Sequence, residues 1–296
     1  MLTLNASEMS PVQLQNYLQY AIAPRPICFA TTISAEGQVN LSPFSFFNLF
    51  STNPPVCIFS PARRVRDNTT KHTLENVLEV KECVINIVNY DMVQQTSLAS
   101  TEYAREINEF DKAGFTMLKS ELVSPPRVAE APVQLECIIT EVISLGPNAG
   151  AGNLVFAEIK LIHIKEEILD AEGKIDQEKI DLVGRLGGDW YCRITPENLF
   201  KVVKPLRTLG IGVDALPADV RNSRVLTGND LGMLGNLEQL PAADEIDAFR
   251  NEAAVKEVLD ATIGDRMTRS RELHELAQAF LAKGEVKNAL KTVLLD

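Results

Sequence analysis

The chain has 296 residues, 45% of them hydrophobic and 23% charged, an ordinary globular composition with apolar material for one large core or two smaller ones. Its 29 Lys and Arg against 40 Asp and Glu give a net charge of −11, which argues against nucleic acid or an anionic membrane as partner and leaves a phosphate only a local cluster of cations to bind. The first fourteen residues lack the basic and apolar regions of a signal peptide, and the apolar runs are too short to span a bilayer. Five cysteines at 28, 57, 83, 137 and 192 never fall in CxxC spacing, so reduced thiols in a cytoplasmic protein are expected. Three histidines, at 72, 163 and 274, have no second ligand at useful spacing, and no metal site is expected.

Taken in chain order, Arg25 to Ser34 is an apolar, β-rich run ending in the turn signal Ala35-Glu36-Gly37, and Gln38 to Asn48 restarts it as the second arm of a hairpin. Val56 to Ser60 reads as a short buried strand. Lys71 to Val80 sets Leu74, Val77 and Leu78 at helical spacing, and Cys83 to Val88 is again strand. Residues 91–120 read as helix and loop. Val133 to Leu145 alternates with a period of two, turns at 146–152, and alternates again from Leu154 to Ile164. Without a steady βαβ rhythm, this pattern predicts a mainly β fold: an antiparallel barrel with attached helices. Near Pro205 the character changes. A loop-like stretch over 206–241 precedes one helix over Ala243 to Leu259, and 273–281 with 286–294 form a helical hairpin broken at Lys283-Gly284. Two regions are expected, 1–205 and a helical extension over 206–296.

Three features carry chemistry. In VNLSPFSFFNLFSTNPP (39–55), Asn40, Ser42, Ser45 and Asn48 interleave with Pro43, Phe44, Phe46 and Phe47, the mixture of apolar wall and edge hydrogen bonds that a flat aromatic cofactor needs. A strand rich in buried phenylalanine is the plainer reading. In SPARRVRDNTTKHT (60–73), Arg63, Arg64, Arg66 and Lys71 stand beside Ser60, Thr69, Thr70 and Thr73, ahead of a helix N-terminus that favours a phosphate. A solvated basic loop capped by threonine explains the same residues. In VSPPRVAEAPVQLEC (123–137) and RLGGDWYCR (185–193), paired prolines and Gly187-Gly188 ahead of Trp190 point to packing.

Together APRP (23–26), NLSPFSFFN (40–48), the Lys71 to Thr73 segment, CVINIV (83–88), FDKAGFT (110–116), PPRVAEAPVQLEC (125–137) and GGDWYCR (187–193) resemble the flavin reductase-like family. That family includes flavoredoxin-type proteins and the reductase components of two-component monooxygenases. The resemblance covers roughly residues 15–205 and implies an FMN-binding split β-barrel of Greek-key, antiparallel type, usually a homodimer. It implies FMN, with FAD as the alternative, and NAD(P)H as electron donor. The implied cofactor contacts are Arg25, Thr31, Asn40, Leu41, Ser42, Ser45, Phe46 and Phe47 toward the flavin and Ser60, Lys71 and Thr73 toward its phosphate; Arg64 is added on charge alone. The family often has Lys-Asp-Thr where this chain has Lys71-His72-Thr73.

No Ser/His/Asp, Cys/His or paired-carboxylate constellation is present, so no catalytic residue is assigned; in flavin reduction the chemistry is the cofactor's. Gly210-Ile211-Gly212 lacks the third glycine and the helix of a dinucleotide fingerprint. Three functions fit: an NAD(P)H-dependent flavin reductase, an FMN electron carrier reduced by a partner protein, and a non-catalytic flavin-binding module acting through the C-terminal helices.

Overall fold

Ser10 and Gln13 exchange hydrogen bonds in a capping box, and Pro11 occupies the first turn, so a helix α1 (Pro11–Ala21) begins there. The structure, a computed structural model, describes residues 1–295, and its contacts divide the chain into one unit over Met1–Phe200 and another from Lys201 onward. In the first unit α1 is followed by β1 (Arg25–Pro26), β2 (Cys28–Ile33), β3 (Val39–Phe44), β4 (Phe47–Thr52), β5 (Pro55–Phe59), α2 (His72–Glu79) and β6 (Glu82–Ile87). Then come α3 (Val93–Leu98), α4 (Glu109–Ala113), β7 (Met117–Leu118), β8 (Arg127–Val128), β9 (Val133–Ser144), β10 (Asn153–Ile164), β11 (Val183–Arg185) and β12 (Tyr191–Arg193).

The two predicted hairpins form, β2 with β3 (Thr31 opposite Leu41) and β9 with β10 (Val155 opposite Val142). The single strand expected over 38–48 is instead two. Phe44 is the last residue paired to β2, opposite Cys28, whereas Phe47 pairs with Phe59 of β5. That change of partner closes the fold. The main sheet is antiparallel with the order β3-β2-β6-β9-β10-β5-β4, so its two edges are consecutive in the chain. Laid flat, six spacings of ~4.8 Å would separate those edges by roughly 29 Å. Only Ser45 and Phe46 connect them, and three Cα steps span at most about 11 Å. The sheet therefore curls until the end of β3 and the start of β4 meet at Ser45-Phe46, while no ladder among the described residues joins the two strands. The result is a split barrel, an antiparallel sheet with one open seam.

The two faces of the curled sheet build two cores. On one, Cys28, Ala30, Phe44, Phe59 and Ile85 pack with Leu74 and Val77 of α2. On the other, Phe29 and Leu41 pack with Met92 and Phe110. Four of the five cysteines are buried in the first, where burial pushes the Cys57 thiol up to about 12 and that of Cys28 well above the usual range, and the Cys83 thiol, with burial, does the same to Cys137. They are unreactive filling.

The second unit is helical: α5 (Ala218–Arg221), α6 (Gly228–Gly235), α7 (Ala243–Phe249), α8 (Ala253–Ala261), α9 (Arg266–Ala282) and α10 (Val286–Val293). Its core holds Leu234, Ala277, Leu281, Leu290 and Val293. The stretch expected to be loop thus carries α5 and α6, the latter started by a capping box of Thr227 and Asp230. The single helix expected over 243–259 is broken between Phe249 and Ala253. The α9–α10 hairpin turns at Gly284, whose φ of +78° suits glycine. Gly210-Ile211-Gly212 makes a backbone crossing: the Ile211 amide donates to the Leu237 carbonyl (2.7 Å) and that of Gly212 to the Gly235 carbonyl (2.9 Å). No helix among the described residues is long and apolar enough to cross a membrane.

Candidate functional site

The open seam and the N-terminus of α2 meet at Asn40. Its Nδ2 donates to Thr73 Oγ1 across 2.9 Å, both groups being buried, which ties the edge strand β3 to the first turn of α2. A second such tie, Asn76 Nδ2 to Thr32 Oγ1 at 3.1 Å, fixes the helix to β2 on the same face. Lys71 stands at the N-cap of α2 and gives it no side-chain cap. Leu74 and Glu75 amides return to the Lys71 carbonyl, so the amides of His72 and Thr73 are left without a partner among the described residues. The Lys71 ammonium lies 5.4 Å from the centre of the Phe44 ring and has neither a hydrogen bond nor an ion pair among the described residues. Burial, with Arg64 nearby, holds its pKa below the ordinary lysine value.

The other cations of the loop are spent on the loop itself. Arg63 donates to the Asn68 side chain (2.7 Å) and carbonyl. Arg64 Nε pairs with Glu102 at 3.0 Å, and its Nη1 donates to Thr69 Oγ1 at 2.9 Å and to the Thr70 carbonyl. Arg66 pairs with Glu102 and Asp67. Lys71 alone of the four makes neither a hydrogen bond nor an ion pair among the described residues, with Glu102 acting on it only at longer range.

The remaining residues singled out in the sequence separate into those at the seam and those away from it. Ser42, Ser45 and Phe47 are half-buried and Phe46 is exposed along the stretch that crosses from β3 to β4. Ser60 reaches the same crossing through its amide, which donates to the Phe46 carbonyl (2.9 Å), while its hydroxyl accepts from the Asn153 amide (3.2 Å). Thr31 and Leu41 face the other side of the sheet. Thr31 Oγ1 accepts from Asn86, and the Leu41 side chain belongs to the core with Phe110. Arg25 belongs to both: its guanidinium stands 6.0 Å from the centre of the Phe46 ring at the crossing, while Nη1 donates to the carbonyls of Gln19 (2.6 Å) and Ile22 (2.8 Å), and Nη2 to that of Leu186 (2.9 Å). It thereby pins the end of α1 to the turn between β11 and β12. The Tyr20 ring covers that turn so closely that a Cβ on Gly187 would lie 2.2 Å from it.

Two acidic residues that no sequence pattern marked complete the site. Glu109 of α4, buried, accepts the Leu41 amide at 3.0 Å. Burial raises its pKa, with the accepted amides opposing. Because amides alternate along a strand, Leu41 and Pro43 both face outward from β3; the carboxylate covers one and the proline has no donor, which blunts the edge. Glu102 is the second, and it closes Arg64 and Arg66 into one cluster. Among the described residues no group of three or more His, Cys, Asp or Glu could hold a metal ion.

A phosphate monoester requires a cation and free N–H donors, and Lys71 with the two open amides of α2 supplies that set. A flat ring requires apolar surface edged by hydroxyls and amides, and the crossing from Phe44 to Phe47 supplies that. The donor set therefore fits a phosphorylated flavin. Comparison with known proteins leads to the same place. A 38%-identical uncharacterized protein of Aquifex aeolicus aligns over 181 residues, 61% of this chain and 90% of that one. Among solved structures, nitrilotriacetate monooxygenase component B from Bacillus cereus is 28% identical, with a TM-score of 0.63 over 68% of this chain and 98% of its own. The 2-nitrobenzoate 2-nitroreductase of Pseudomonas fluorescens is 27% identical, with a TM-score of 0.61 over 69% and 98%. The model of the flavin reductase like domain matches residues 20–178, more than half of the chain, and the protein belongs to that family.

Proposed function

We propose that the barrel unit binds FMN at its seam and serves as an NAD(P)H-dependent flavin reductase. The observation that carries this reading is the Lys71 ammonium, half-buried and without a counter-ion among the described residues, beside two open helix amides. Lys71 and the amides of His72 and Thr73 would hold the phosphate, and the positive end of α2 adds a small favourable contribution. Asn40 and Thr73 fix the distance between that anchor and β3. Phe46 and Phe47 offer the apolar wall, with Phe44 buried behind them in the core, and Ser42 and Ser45 the edge donors. Flavin, when bound, supplies hydride acceptance from a nicotinamide. The chain's own residues bind, orient and exclude water, and none needs to act as acid or nucleophile. The redox functions named for the Bacillus and Pseudomonas neighbours support this class of chemistry. A homodimer belongs to the same reading, with Leu49 and Phe50 exposed on the edge strand β4 as apolar surface for a second copy.

The test is anaerobic mixing of the purified, FMN-loaded protein with NADH and with NADPH, followed at the flavin absorbance band. Bleaching within seconds is expected. Flavin that stays bound and ignores both nicotinamides would refute the reductase step and leave an electron carrier fed by a protein partner. Protein that is colourless and takes up no added FMN would refute the site.

A further inference from the structure

Glu102 spans two guanidinium groups with one carboxylate: Oε1 lies 3.0 Å from Arg64 Nε and Oε2 lies 2.9 Å from Arg66 Nη2. Arg64 is in turn fastened to Thr69 and to the carbonyl of Thr70, the residue before Lys71. Lys71 feels both charges, Arg64 lowering its pKa and Glu102 raising it. Glu102 is therefore an internal anion seated in the cation cluster that adjoins the phosphate anchor. Its segment is held a second time by Arg105, whose Nη1 lies 2.6 Å from Glu75 Oε2 on α2.

The groups left to a ligand are thus limited in number. Lys71 and two amides suffice for one phosphate, and a second phosphate on the same chain would call on the arginine forks, the side chains best shaped for it. Both forks already face Glu102. We infer that Glu102 is a specificity-determining residue that confines the site to flavins with a single phosphate, FMN, against those joined through a pyrophosphate, FAD. This rests on the reading that Lys71 anchors the flavin phosphate. The clasp is cheap to open on its Arg66 side, where Glu102 is 48% and Arg66 77% exposed and such a pair adds little to stability, and Arg64, 17% exposed, keeps its bonds to Thr69 and Thr70. Removing the charge of Glu102 therefore leaves the fold in place and releases Arg64 Nε and Arg66 Nη2 from it, while Arg64 Nη1 stays on Thr69 and Thr70.

The experiment titrates the full-length protein and its Glu102→Gln variant with riboflavin, FMN and FAD, following flavin fluorescence. The variant is expected to bind FAD more tightly, with the FMN preference reduced about fivefold to tenfold and riboflavin unchanged. A preference that stays within about twofold of wild type, or FMN and FAD tightening together, overturns the inference. If riboflavin and FMN bind the wild type equally, the phosphate anchor itself is misplaced, and that failure is distinct. A second arm needs no flavin: thermal unfolding with inorganic phosphate or pyrophosphate. Pyrophosphate should stabilise Glu102→Gln more than wild type while phosphate treats the two alike. Equal response to both anions refutes the role of Glu102 outright.

Discussion

Replacing Lys71 by methionine should weaken FMN binding and stabilise the ligand-free protein at the same time. Methionine keeps the aliphatic stem over Phe44 and removes only the ammonium. A hydrogen bond to a charged group is worth about 1.5–3 kcal/mol, so the dissociation constant for FMN should rise about 10- to 150-fold, while riboflavin, which lacks the phosphate, binds as before. The ligand-free protein loses a cation that burial and the neighbouring Arg64 disfavour and that Glu102 favours without forming an ion pair with it. Relief of one such like-charge contact is worth up to about 1 kcal/mol, or roughly 2–4 °C in the midpoint for a unit of this size. Trp190, the single tryptophan, lies in the barrel unit, so its fluorescence follows the unfolding of that unit rather than of the helical one. Flavin titration and a thermal scan on Trp190 together decide the matter. A variant that melts lower and binds FMN normally would show that Lys71 is a structural cation and that the anchor lies elsewhere.

The pH profile follows from the same groups. FMN affinity should rise as the phosphate loses its second proton near pH 6, stay level, and fall at a lower alkaline pH than an ordinary lysine would give, because burial lowers Lys71; Lys71→Met should lack the alkaline fall. Glu136, fully buried, accepts the amides of Glu121, Leu122 and Val123 (2.9, 2.6 and 3.2 Å) and faces His163 Nε2 at 2.8 Å. Burial pushes its pKa up, but these bonds outweigh that and hold it below the usual value, so its stabilisation is present above pH 4.5 and is lost on acidification. Glu136→Gln should cost about 2–4 kcal/mol in urea unfolding read at Trp190 and should flatten the acid limb. In the helical unit, a Cβ on Gly235 would lie 2.9 Å from the Gly212 backbone, so Gly235→Ala should cost about 1–3 kcal/mol in the unfolding monitored by helical circular dichroism. An unchanged midpoint would mean that the crossing at 210–212 is not fixed in solution.

Local pattern made the two hairpins, α2 and β6 legible, because each is written in neighbouring residues: period two for β9 and β10, helical spacing for Leu74 and Val77. The exchange of partners between Phe44 and Phe47 is not written that way. NLSPFSFFN carries no glycine or turn pair at Ser45-Phe46, and the break is imposed by closure of a sheet whose edges are consecutive in the chain. Glycines at 228, 232 and 235 hid α6, although Thr227 and Asp230 carried a capping signal that reveals it. At the site, the cluster of cations was visible but its use was not. Charge along the chain cannot distinguish Arg64, already paired with a carboxylate 38 residues away, from Lys71, which has no ion pair among the described residues. Glu109, 68 residues from the amide it covers, left no local trace at all.

On the proposed reading, the seam would let this chain hold flavin chemistry with no side chain acting as acid or nucleophile. A closed barrel satisfies every strand edge internally and presents side chains alone, whereas here the chain passes from one edge strand to the other at Ser45-Phe46 without a ladder between them. Here β3 is made safe by Glu109 and by Pro43, neither of which closes the gap to β4. The gap stays lined by backbone, small hydroxyls and phenylalanines, and α2, fastened to β2 and β3 by Asn76 and Asn40, sets the open amides of a helix beside it. On the proposed reading, those elements would recognise a planar ring carrying an anionic tail and contribute no proton of their own. The polar ties that hold α2 in place are thus the residues whose loss should misplace the anchor from the ring surface, even though neither asparagine need touch the ligand's phosphate.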